Sequence, residues 1–174
     1  MKNLLHYKFT DKEIKELLDS IIIIVDTREK SNQHIVDYFR KKEVPFRFQK
    51  MDTGDYTAML PANPDLGLPR DLYFDIVVER KANIDEFAQN TKEDRFENEL
   101  IRSQGMKFLL VIEDTYENLL NGSYRSKYKP QALLGRLKAF ESKYGFTTVF
   151  MDKRLMGNYL YHHLYYQIRN QLKN

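Results

Sequence analysis

Residues Ile76, Val77 and Val78 run directly into Glu79, Arg80 and Lys81, and Asp85 follows four residues later. A β-branched run of this kind reads as a buried strand. Charged groups are rarely buried unless they are paired, so the end of this strand demands an account. Two readings are open: either the strand reaches solvent there, or its charged end builds a site. Alternate residues of a strand share a face, which puts Glu79 and Lys81 side by side. An acid and an ammonium so placed can hold a divalent cation and orient a water next to it.

The pattern recurs. Ile21 to Val25 form a second apolar strand that ends in Asp26-Thr27-Arg28-Glu29, and Lys107 to Ile112 form a third that ends in Glu113. Open α/β sheets place their ligand sites at the carboxyl ends of such strands. The intervening stretches read as helices. Thr10 and Glu13 make a capping box ahead of Ile14, Leu17 and Leu18. Ser31 or Asn32 caps a helix to about Lys42, stopped by Pro45. Asp94 caps another that ends at Gly105, a short helix over Thr115 to Asn121 closes at Gly122, and Pro130 opens one that closes at Gly145. Asp152 caps a long final helix. Phe46 to Met51 and Asp55 to Leu60, joined by Thr53-Gly54, read as a hairpin, and the proline-bearing stretch from Pro61 to Asp71 reads as a loop. Strands alternating with helices predict a three-layer α/β/α sandwich. Its central sheet is mixed and mainly parallel, with the hairpin at one side, and forms one domain.

The length of 174 residues and a hydrophobic content of 42% suit a single core. A net charge of +3 permits nucleic-acid binding without arguing for it. The absence of cysteine excludes disulfides, thiolate zinc sites and a thiol nucleophile, and fits a reducing compartment. No signal peptide or membrane-spanning run is present in the sequence, so an intracellular, cytoplasmic protein without membrane partners is expected.

The polar groups at the strand ends are Asp26, Glu29, Asp55, Glu79 and Asp85, together with Lys81. Each on its own is compatible with a solvated surface. If they converge, the carboxylates repel one another and hold protons more tightly, unless a cation neutralises them. Hard oxygen ligands select magnesium or manganese, which activate water and stabilise phosphoryl charge.

An acid followed by Glu-x-Lys, here Asp55 and then Glu79 and Lys81 with 24 residues from acid to acid, is the signature of the restriction-endonuclease-like fold. The fuller set, Val25-Asp26-Thr27-Arg28-Glu29, Gly54-Asp55-Tyr56 and Val78-Glu79-Arg80-Lys81 with Asp85, resembles the XPF-type (xeroderma pigmentosum group F) structure-specific endonucleases. Comparable segments follow at Arg95 to Leu100, Leu110 to Glu113 and Pro130 to Leu137, so the likeness runs from about Ile21 to Leu164. It implies a nuclease domain over residues 20–174, preceded by a helical extension over residues 1–19. It implies a Mg²⁺-dependent endonuclease, with Mn²⁺ as substitute, acting on branched or flap DNA in repair or recombination.

The resemblance assigns Asp55 and Glu79 to the metal and places Asp26 and Glu29 in the acidic shell, Asp26 as a further ligand. Lys81 orients or deprotonates the attacking water and stabilises developing charge. Arg80 bonds acidic neighbours or a phosphate, and Asp85 positions Lys81 or Arg80. Arg28 and Arg95 are expected at DNA phosphates. The tyrosine-bearing basic loop adds Arg125, Lys127 and Lys129, with a solvated loop as the alternative. Family members typically continue into helix-hairpin-helix repeats, which are missing here; an accessory DNA-binding protein then supplies the grip, or the enzyme is less selective. Leu160, Leu164 and Ile168 give the last helix a core stripe, flanked by Tyr159, Tyr161, Tyr165 and Tyr166. The family pairs through this helix, so a homodimer is expected. His162 and His163 point about 100° apart on a helix and do not read as metal ligands. Two alternatives stand beside the nuclease: a non-catalytic DNA-binding or scaffold subunit of the same fold, and a less selective restriction-like enzyme.

Overall fold

The computed structural model describes residues 8–173. The first seven residues of the expected N-terminal extension lie outside it. The elements in order are α1 (Asp11–Asp19), β1 (Ile22–Val25), α2 (Gln33–Lys41), β2 (Phe46–Phe48), β3 (Tyr56–Leu60), β4 (Leu72–Tyr73), β5 (Ile76–Lys81), α3 (Ile84–Thr91), α4 (Asp94–Arg102), β6 (Lys107–Ile112), α5 (Tyr116–Asn121), α6 (Pro130–Tyr144), β7 (Thr148–Phe150) and α7 (Lys153–Lys173). The strands form one mixed seven-stranded sheet in the order β2-β1-β3-β5-β6-β7, with β4 pairing β3. Helices flank it, as the alternation predicts.

The chain clusters into two compact units. One comprises residues 8–51, 56–76 and 157–173, the other residues 52–55 and 77–156. In the first unit, Ile23, Ile24 and Val25 of β1 and Ile35, Val36 and Phe39 of α2 are buried. α1 forms as its capping box predicts. The Thr10 side chain accepts from the Glu13 amide, Glu13 accepts from the Thr10 amide, and Ile14, Leu17 and Leu18 are buried. Leu160, Leu164 and Ile168 of α7 are likewise fully buried. In the second unit a cluster built around Ile84, Phe87, Phe96, Leu100, Leu110 and Leu137 forms the core. Each such side chain contributes about 1.5–3 kcal/mol by leaving water.

The expected hairpin does not form. β1 lies between its two arms: β2 pairs with β1 in parallel (Ile23 opposite Phe46, Val25 opposite Phe48), and β3 pairs with β1 antiparallel on the other side (Val25 opposite Tyr56). The reason is α2. A helix between two strands carries the chain back along the sheet, so β1-α2-β2 closes as a crossover unit with parallel strands. β1 then offers only its other edge to β3. The stretch expected as a loop from Pro61 to Asp71 contains a 3-10 turn over Pro64–Leu66 and leads into the two-residue β4. Among the described residues no helix is long and apolar enough to cross a membrane.

Candidate active site

β5 settles the first question. Glu79, Arg80 and Lys81 are 3%, 4% and 4% exposed, so the strand does not surface at its charged end. All six of its residues are buried, and the charged three require partners.

Glu79 and Lys81 supply one another's. Lys81 Nζ donates to Glu79 Oε1 at 2.5 Å, the same-face contact that alternate strand positions allow. The second carboxylate oxygen, Glu79 Oε2, is buried and accepts no hydrogen bond among the described residues. Burial pushes the Glu79 carboxyl well above its ordinary range; the charge of Asp55 adds to this, Lys81 opposes it, and Glu99 adds again. Burial works to lower the Lys81 ammonium, but the Glu79 carboxylate outweighs it and holds its pKa above the ordinary value, with Asp55 and Glu86 assisting. The ammonium also lies 5.4 Å over the Phe96 ring.

Arg80 faces the other way. Its Nε donates to Glu113 Oε1 in an ion pair with both side chains nearly excluded from solvent, and the Glu113 amide donates to the Lys81 carbonyl. Of its two expected partners, an acidic neighbour or a phosphate, Arg80 shows the acidic neighbour.

Asp55 is brought to β5 by the turn before it. The Asp55 amide donates to the Val78 carbonyl at 2.9 Å, and its Oδ2 accepts from the Arg80 amide at 2.8 Å. Gly54 makes this approach possible. Its φ of +73° lies in the left-handed region, and a Cβ there would sit 1.7 Å from Val77 Cγ2. The Gly54 amide donates to Glu99 Oε1 at 2.8 Å. Glu99 therefore anchors the turn that presents Asp55 and also raises the proton affinity of Glu79.

Asp85 opens α3 and accepts from the Ser126 amide at 2.6 Å, tying the basic loop to this helix. Lys81 and Arg80, which it is expected to position, are paired with Glu79 and Glu113. In the other unit, Asp26 is 1% exposed, and both its oxygens are engaged: Oδ1 by the Arg28 amide and Nε, Oδ2 by Arg28 Nη2 and the Met51 amide. Burial works to raise its pKa, but these bonds prevail and hold it below the ordinary carboxylate value. Glu29 is half-buried and accepts from the Lys30 amide. The Arg28 guanidinium, expected at DNA, also donates to the Met51 carbonyl. Arg95, Arg125, Lys127 and Lys129 are exposed.

Among the described residues, no group of three or more His, Cys, Asp or Glu side chains is placed to hold a metal ion on protein ligands alone. Magnesium does not need one. It keeps several waters and binds through one or two carboxylates plus substrate phosphates. Asp55 and Glu79, with the unpartnered Oε2 of Glu79, fit that demand.

The roles of Glu99 and Glu113 went unassigned in the sequence. Glu113 carried a signal, an acid at the end of a buried strand. Glu99 carried none beyond its place in the Arg95 to Leu100 segment, because a charge on an amphipathic helix reads as solvated.

A family model described as the ERCC4 domain matches residues 25–162. Among solved structures, XPF from Aeropyrum pernix is similar with a TM-score of 0.61 and 18% identity, over 85% of this chain and 65% of that one. XPF from Aeropyrum pernix in complex with DNA is similar with a TM-score of 0.59 and 18% identity, over 86% of this chain and 65% of that one. At this identity the likeness speaks for the fold, and the present chain spans about 65% of the length of these structures. No curated protein matches the chain.

Proposed function

Because this chain belongs to the ERCC4-domain family, we propose that it is a divalent-metal-dependent DNA endonuclease that hydrolyses phosphodiester bonds in branched or flap DNA. The observation that carries the reading is the buried Glu79. Its Oε2 has no hydrogen-bond partner among the described residues, and its proton affinity is raised by burial and by Asp55. An acid held in that condition weakens the fold unless a cation completes it.

Asp55 and Glu79 would hold the metal, Mg²⁺ or Mn²⁺, which when bound supplies Lewis-acid activation of water and neutralises phosphoryl charge. The chain's own residues do the rest. Arg80 and Gly54 fix Asp55 through backbone amides and the tight turn. Glu79, ionised, would offer its carboxylate to the metal and keep Lys81 charged. A Lys81 held as ammonium donates hydrogen bonds to a developing oxyanion and orients the water; its raised pKa favours charge stabilisation over proton abstraction. Glu113 holds Arg80 against β6, out of competition with the ammonium. Two copies pair through α7 in this proposal, an accessory protein being the alternative source of DNA grip.

The test is cleavage of end-labelled flap, fork, duplex and single-stranded DNA with Mg²⁺, Mn²⁺ or EDTA, comparing wild type with Asp55→Ala and Glu79→Ala. Metal-dependent cutting of branched DNA, lost in both variants, is the expected result. Equal cutting of every DNA keeps the chemistry and moves selectivity to a partner. DNA binding without cutting under any condition replaces the enzyme with a scaffold subunit.

A further inference from the structure

Within the second unit, α3 and the loop of residues 123–129 enclose an open cavity of about 760 Å³. Its walls include Asn83, Asp85, Gln89 and Lys92 on one side and Arg125 and Lys127 on the other. The loop is built rather than merely tethered. Asp85 accepts from the Ser126 amide at 2.6 Å, the Tyr124 hydroxyl donates to the Tyr128 carbonyl at 2.7 Å, and the Tyr128 amide donates to Ser126 Oγ at 3.1 Å. Lys92 Nζ lies 5.6 Å over the Tyr128 ring, which joins the two walls.

The charge balance of this cavity is one-sided. Lys92, Arg125 and Lys127 are exposed, and none of them makes an ion pair with a carboxylate among the described residues. Asp85, the acid in the lining, spends an oxygen on the Ser126 amide. Asn83 and Gln89 add neutral amides. The volume lies in the range of cavities that take a ligand of nucleotide size, on the order of 300–1,000 Å³. A cavity with three cations outside any ion pair and a few amides suits an anion with a polar body.

Its position decides which anion. Asn83, the N-cap of α3, stands two residues after Lys81 at the end of β5. We infer that this cavity holds a backbone phosphate and its nucleotide from the same strand that is cut, next to the scissile bond. The inference rests on the nuclease reading above and adds to it a second grip on the strand that sets register. Phosphate contacts fix position along a nucleic acid without reading sequence. Lys92, Arg125 and Lys127 are the binding groups, and Asp85 is a positioning residue that holds the loop in place.

The experiment is fluorescence anisotropy of a labelled oligonucleotide, single-stranded and duplex, in EDTA over a range of salt. The chain is compared with Arg125→Ala/Lys127→Ala and with Lys92→Ala. A control, Lys12→Ala/Lys15→Ala, removes exposed charge from α1. Each phosphate that is no longer neutralised lowers the slope of log affinity against log salt by about 0.7–0.9. The double variant, which leaves that one phosphate unneutralised, is expected to reduce the slope by about 0.7–0.9, Lys92→Ala by part of that, and the control not at all. With Mn²⁺, the double variant is also expected to cut at scattered positions. If wild type binds and the pocket variants match the control in slope, the cavity is not a phosphate site, and the nuclease reading stands. If the slope falls but wild type never cuts, the phosphate site is retained and the nuclease reading fails.

Discussion

The ammonium of Lys81 and the carboxylate of Glu79 meet at 2.5 Å inside the protein, and the pair leaves one glutamate oxygen without a partner among the described residues. This arrangement is incomplete as a salt bridge, and in the proposed function the remaining oxygen is the one a cation would take.

The incompleteness has a thermal signature. A carboxylic acid whose native pKa is raised above its ordinary 4.5 lets the folded state bind the extra proton. Stability of the metal-free protein therefore falls as pH rises from that ordinary value through the native one. Cation binding displaces the proton, so metal stabilisation grows over the same range. Mn²⁺ at about 100 times its Kd contributes about 2.7 kcal/mol, or about 5–10 °C in Tm. Differential scanning fluorimetry from acid to neutral pH should show the Mn²⁺ shift increasing with pH in wild type and absent in Glu79→Gln and Asp55→Asn. A shift independent of pH and of both acids places the metal elsewhere.

Lys81→Met should separate chemistry from binding. Loss of a charge-stabilising donor costs about 10²–10³ in rate, while affinity for DNA in EDTA changes little. Single-turnover cleavage beside anisotropy tests this. Equal loss in both would make Lys81 a binding residue.

The Arg80–Glu113 pair is buried on both sides. Removing one partner leaves an uncompensated charge, so Glu113→Ala should lower unfolding stability by about 3–5 kcal/mol. Arg80→Met/Glu113→Leu should recover most of that loss, because an apolar pair carries no desolvation cost. Urea unfolding of the three variants decides the matter, and a double variant no better than the single would count against this account.

Gly54→Ala meets two obstacles. The left-handed backbone costs about 1–2 kcal/mol, and the clash with Val77 adds about 1–3 kcal/mol. Adding Val77→Ala relieves only the second, so the two changes should couple favourably in a double-mutant cycle. Additive effects would show that the turn moves instead.

Much of the fold and the site is legible in the sequence, for definite reasons. Ile21 to Val25, Ile76 to Val78 and Lys107 to Ile112 are β-branched or aliphatic runs whose burial leaves little choice. Thr10 with Glu13, and Pro130 with Gly145, announce helix ends through local bonds that need no tertiary context. Asp55, Glu79 and Lys81 gather because a turn and a strand face bring them together. Pairing across distance is not legible. Nothing in Phe46 to Phe48 says whether it joins the strand before or after it, and α2 decides for β1. The two-residue β4 is too short for a period. Glu99 and Glu113 are acids whose partners, Gly54 and Arg80, stand 45 and 33 residues away. No spacing rule reaches that far.

The crowding at Gly54 bears on how such proteins can diverge. No side chain fits beside Val77 without moving it, so a descendant that keeps both this turn and Val77 keeps the glycine, whether or not it is a nuclease. The aspartate next to it is under no such steric hold; it accepts from the Arg80 amide, and in the proposed reaction it would hold the metal. The glycine in Gly-Asp-Tyr thus marks inheritance of the fold, and under the proposed function the aspartate marks survival of the chemistry. Loss of the second with retention of the first is the trace a retired enzyme would leave.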